Sequence, residues 1–145
     1  MYFHCYVVSG KVNPATLAIT FTAPVSFAIN NYVNFNLVSF SATSYALVYF
    51  EGTNTVMPYY GWGVLTAKLA TVSATGEVTL SDAIQANTTA PIFTLAATRM
   101  SDTAAVIAFA DYSLDYAINT QLLTLSGHNL SKSFHPCFFL VPKDP

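Results

Sequence analysis

The sequence predicts an all-β domain built from blade-like antiparallel sheets. Three observations carry that expectation. Short runs rich in Val, Ile, Thr, Tyr and Phe alternate with turn residues along the whole chain. No segment shows the 3.6-residue apolar period of a capped helix, and the best helical stretch, around Ala67 to Ala70, is short and followed by β-branched residues. The chain also copies itself: Phe35 to Phe50 recurs as Phe93 to Phe109, at an offset of 58 residues at Phe35/Phe93 and 59 at Phe50/Phe109. A repeat near that length marks an architecture in which each unit hides its apolar face against a neighbour.

Each unit is expected to hold four strands. In the first complete unit they are Phe35 to Phe40, Tyr45 to Phe50, Val64 to Val72 and Glu77 to Leu80. In the second they are Ile92 to Thr98, Ala104 to Phe109, Ile118 to Leu125 and Leu130 to Phe134. The runs Ala46-Leu47-Val48-Tyr49-Phe50 and Ala105-Val106-Ile107-Ala108-Phe109 are apolar throughout, as strands covered on both faces are. Glu77-Val78-Thr79-Leu80-Ser81 alternates apolar with polar, as a half-buried strand does. The third strands match as well, with Leu69 to Ser73 against Leu122 to Ser126. Tyr6 to Gly10 reads as the third strand of an earlier unit, and Leu17 to Phe21 as its fourth. The expected organisation is one domain: a partial unit over 1–30, a unit over 31–88 and a unit over 89–145.

At 145 residues the chain can bury a sizeable core. Charged residues are 8% of it, against about 25% in an average soluble domain. So weakly charged a chain either covers much of its surface with partners or shows a neutral Ser/Thr/Asn skin. Its five cations, Lys11, Lys68, Arg99, Lys132 and Lys143, are scattered, which argues against nucleic acid as a partner. No run of 18 apolar residues exists to form a membrane-spanning helix, and the first residues lack a basic region and a cleavage site.

The turn Ser101-Asp102-Thr103, the strand Ala105-Val106-Ile107-Ala108-Phe109 and the strand end Thr124-Leu125-Ser126-Gly127 resemble bacterial and environmental β-propeller-like repeat proteins. The resemblance spans residues 5 to 134. It implies a four-stranded blade and supplies no catalytic residues. Propellers close with about 4–8 blades, and this chain holds roughly two and a half units. Several copies assemble, or the chain is a fragment of a larger propeller, or the sheets pack as a β-sandwich.

Candidate chemistry is sparse. The loop Met57-Pro58-Tyr59-Tyr60-Gly61-Trp62-Gly63 has no counterpart in the second unit, so it is an insertion of the kind that maps to binding faces. Tyr59, Tyr60 and Trp62 are residues able to stack on a sugar ring or to anchor a protein partner, and equally able to form a self-packed plug. Cys5 and Cys137 near the two ends suit a disulfide closing roughly 130 residues, worth about 3–5 kcal/mol in the chain-entropy account; two buried thiols are the alternative. Asn87-Thr88-Thr89 and Asn129-Leu130-Ser131 are glycosylation acceptors. Asp111 and Asp115 are too thinly supported by other oxygens for a calcium loop. His4, His128 and His135 lack metal-ligand spacing, and no metal or other cofactor is expected. No nucleophile elbow, phosphate loop or His-Glu-x-x-His is present, so enzymatic activity is not expected. The expected role is a structural subunit of an extracellular or cell-surface assembly, a filament, appendage or coat, formed with copies of itself or other chains of that assembly. A lectin-like, carbohydrate-binding module is the alternative.

Overall fold

The structure is a computed structural model that describes residues 3–30, 34–54, 62–85, 92–111 and 117–134. Every regular element among them is a strand. In chain order these are β1 (Phe3–Val7), β2 (Gly10–Val12), β3 (Ile19–Phe21), β4 (Val25–Asn30), β5 (Phe35–Ser39), β6 (Ser44–Asn54), β7 (Trp62–Val72), β8 (Val78–Leu80), β9 (Ile84–Gln85), β10 (Ile92–Ser101), β11 (Ala104–Asp111), β12 (Ala117–Ser126) and β13 (Asn129–Phe134). The stretch around Ala67 to Ala70 lies inside β7, where Ala67 and Ala70 are buried.

All pairings are antiparallel and follow chain order closely. One sheet runs β5-β6-β7-β8, with β9 also paired to β7; a second runs β10-β11-β12-β13. The strands expected from the sequence are present, most of them longer than expected. The N-terminal part differs in detail. β1 pairs with β4, and β2 pairs with β3. The two pairs form one bent ribbon, joined where the Thr22 N–H donates to the Ser9 carbonyl at 3.0 Å. Leu17 is therefore not in a strand. It closes the ribbon's tip with φ 58°, its N–H donating to the Asn13 carbonyl at 2.8 Å. Asn13 holds the same turn by accepting from the Ala15 N–H at 2.9 Å. A left-handed Leu stores about 1 kcal/mol of strain. Leu17→Asn is expected to raise the thermal midpoint by a few degrees, read by circular dichroism.

The ribbon and the two sheets stack as three layers. One face of the β5–β8 sheet presents Val38, Ala46, Val48, Phe50, Leu65, Ala67 and Leu69, and these share a core with Leu95, Ala105, Ile107, Phe109, Leu123 and Leu130 of the second sheet. Its other face presents Leu47 and Tyr49 to Phe27, Cys5 and Val7 of the ribbon. Phe27 meets Tyr49 edge-on, ring centroids 5.2 Å apart. The middle sheet is thus covered on both sides, which is why β6 is apolar in consecutive positions. Three layers in a row do not close a propeller.

Hydrogen bonds align the two sheets differently from the sequence repeat. The Thr43 N–H donates to Ser41 Oγ at 3.2 Å, and the Thr103 N–H donates to Ser101 Oγ at 3.2 Å. The Val72 N–H reaches the Thr43 carbonyl and the Leu125 N–H the Thr103 carbonyl, each at 2.8 Å. Thr71 bonds Thr79 at 2.6 Å where Thr124 bonds Ser131 at 2.7 Å. These matches set the second strands 60 residues apart, not 59. A shift of one residue moves every side chain to the opposite face. Phe109 then corresponds to Tyr49 rather than to Phe50, and Ile107 to Leu47 rather than to Val48. Leu47 and Tyr49 face the layer before them, and so do Ile107 and Phe109. The layers therefore stack in one sense, head to tail, and not as two like faces pressed together.

Asn36 on β5 ties the layers. Its side-chain amide donates to the Leu95 carbonyl on β10 at 3.0 Å. Asn36→Ala is expected to cost about 1 kcal/mol, measured as a lowered urea midpoint with unchanged slope.

Candidate functional site

The residues singled out in the sequence do not gather into one described site. Trp62 opens β7 opposite Asn54, so the insertion is carried between β6 and β7; Tyr59 and Tyr60 lie outside the described residues, as do Cys137, Asn87, Asp115 and His135. Cys5 is half-buried against Tyr49 and Leu47, and burial raises its thiol pKa. Among the described residues Cys5 is in no disulfide. Asn129 begins β13 at an exposed position, beside the turn that Gly127 makes with φ 60°. His4 is exposed and stacks on Tyr6. His128 sits in the exposed β12–β13 turn. Asp111 ends β11 and pairs with Ala117, the first residue of β12. No group of three His, Cys, Asp or Glu residues able to hold a metal occurs among the described residues.

Two other features come from the layering. The first is the outer face of the second sheet. Strand alternation puts Ala96 and Thr98 of β10, Val106, Ala108 and Ala110 of β11, and Ile118 and Leu122 of β12 on the side away from the first sheet, and Met100, at the irregularity between Arg99 and Ser101, matches Phe40. Met100 is 65% exposed and Ile118 36%. At the matching positions of the first sheet, Phe40 and Leu65 are buried beneath the second sheet. This outer face carries no charged side chain among the residues just named. No described strand lies over it, though Ala110 is buried and Val106, Ala108 and Leu122 are half-buried.

The second feature is a cleft of about 440 Å³ between the ribbon and the first sheet. Val7, Val8, Ser9 and Lys11 line one side of it; Leu37, Tyr45 and Val72 line the other. The β2–β3 arm beyond it leaves Val12, Ile19 and Phe21 exposed. Phe21 and Ile19 lie over Gly10, where an added Cβ would come within 3.1 Å of the Phe21 ring.

Apolar area is thus concentrated at the two ends of the stack. The sequence signalled this only through its low charge, because the uncovered face is written in the same Ala-Val-x-Ala-Phe pattern as the covered one. No family model, curated protein or solved structure matches this chain.

Proposed function

We propose that this chain is a structural subunit that assembles with copies of itself through blade-like β layers, in an extracellular filament, appendage or surface coat. The observation that supports this most is the outer face of β10–β12, over which no described strand lies and whose counterpart on β5–β7 is buried by the next layer of the same chain. Layers stacked in one sense leave unlike faces at the two ends. Contacts between unlike faces are heterologous and propagate into a ring or a filament. Low charge removes the repulsion that keeps a protein monomeric. The acceptor sequons at Asn87 and Asn129 support an extracellular setting. The role is non-enzymatic, with burial of apolar area as its chemistry.

Sedimentation velocity over a concentration series tests the reading. The expected result is a distribution that moves from the 15.7 kDa chain to multimers as concentration rises. A single 15.7 kDa species at every concentration would overturn it.

A further inference from the structure

The ribbon has an outer face of its own. Along β1 exposure alternates: Cys5 and Val7 pack on Leu47 and Tyr49 of the first sheet, so His4 and Tyr6 look the other way. The β2–β3 arm continues that outer face. A Cβ added at Gly76, in the β7–β8 turn, would meet the Thr22 methyl at 3.4 Å and the Ser9 hydroxyl at 3.9 Å. Ser9 and Thr22 are therefore turned toward the first sheet, and so are Lys11 and Thr20, which alternate with them and pair across the arm. Val12, Ile19 and Phe21 lie on the opposite side, with Val12 paired to Ile19 and Phe21 to Gly10. Tyr6, Val12, Ile19 and Phe21 are each more than half exposed. Lys11 is the one Lys, Arg, Asp or Glu among residues 3–30, and it is on the other side. A two-stranded hairpin is marginal in water by itself, and β2 and β3 pair only with each other among the described residues.

We propose that this face of the ribbon and arm docks on the outer face of β10–β12 of a second copy of this chain. The inference rests on the self-assembly reading and names the surface that the last sheet of each copy meets. Two observations select a second copy as the occupant. The first is layer order. At both junctions within the chain, the side turned toward the earlier layer holds an aromatic ring that this layer buries. Tyr49 of the first sheet is buried with Phe27, Cys5 and Val7 of the ribbon, and Phe109 of the second sheet with Val48 and Phe50 of the first. The ribbon shows Tyr6 and Phe21 on its corresponding side, and no described strand precedes it there. Chains stacked in the same sense place the last sheet of a neighbour in that position, with Tyr6 and Phe21 as anchors.

The second observation is charge. Ala96, Thr98, Val106, Ala108, Ala110, Ile118 and Leu122 are the outer face of the last sheet, and Tyr6, Val12, Ile19 and Phe21 that of the ribbon. Neither set holds an ionisable acid or a cation, so the two faces close on each other without enclosing an unpaired charge.

The test mixes two full-length chains, each blocked at one face. Val106→Glu blocks the last sheet and leaves the ribbon free; Phe21→Glu does the reverse. Phe21 is exposed, so a glutamate there leaves the fold in place. Tyr6→Glu, on β1 instead of the arm, repeats the experiment should the arm be disturbed. The expected result is that each variant alone sediments as a 15.7 kDa species, while an equimolar mixture of Val106→Glu with either ribbon variant forms a species of twice that mass and nothing larger, because one open pair of faces remains. Multimers of both ribbon variants like those of the unaltered chain, or mixtures that stay at 15.7 kDa, would overturn docking of the ribbon on the last sheet and leave self-assembly standing. An unaltered chain that stays single overturns the assembly reading itself.

Discussion

Val106→Glu is expected to dissolve the assembly while leaving the fold in place. Val106 sits mid-strand on β11, opposite Thr98 and Leu122, on the outer face of the second sheet. It is partly exposed in the single chain, so a glutamate there reaches water, and substitutions of this kind usually shift stability by less than about 0.5 kcal/mol. In a stack the same carboxylate is enclosed between layers with no cation on its face. Burying an unpaired charge costs several kcal/mol, more than an interface of this kind can absorb. Sedimentation should then show only the 15.7 kDa species at concentrations where the unaltered chain multimerises, with the same far-ultraviolet dichroism. Multimers of Val106→Glu would mean that another surface holds the copies together.

Phe109→Ala is expected to cost about 3–5 kcal/mol. The ring is almost wholly buried in the core shared by the two sheets, with Val48 and Phe50 on the facing side. Against a total stability of about 5–15 kcal/mol, that loss removes a large share of the folded state's margin. Because one cluster spans both sheets, they should unfold in a single urea transition at a lower midpoint. Phe21→Ala, the same chemical change on the exposed arm, should leave that midpoint almost unmoved. A small effect of Phe109→Ala would mean that the two sheets do not share a core.

The strand content was legible because β-branched and aromatic runs are separated by turn chemistry of a recognisable kind, such as Ser41-Ala42-Thr43 and Ser101-Asp102-Thr103. The register between the two sheets was not. Tyr49 and Phe50 are adjacent, aromatic and both buried, because β6 is covered on both faces. A period of two has no contrast in such a run, so matching Phe50 to Phe109 by identity lands on the wrong face. The Ser-x-Thr turn bonds decide it, and serine and threonine pairs carry little weight beside aromatics in a sequence comparison. β4 and β9 were missed: β9 is two residues long, and Val25 to Asn30 mixes Ser, Ala and Asn among its apolar positions. The Tyr59, Tyr60 and Trp62 insertion stood out by composition, whereas the uncovered face of β10–β12 did not. Its Ala, Val and Thr residues read as ordinary strand, and only the layer order shows that nothing from the described chain lies over them.

Hydroxyl-radical footprinting of the unaltered chain, read at Met100 and Ile118, tests the central claim most directly. Both side chains lie on the uncovered face and are exposed in the single chain. The expected result is strong labelling in dilute solution and protection of both residues at concentrations where multimers form. Equal labelling of Met100 and Ile118 at both concentrations, with multimers present, would show that the copies meet elsewhere and would contradict head-to-tail stacking through this face.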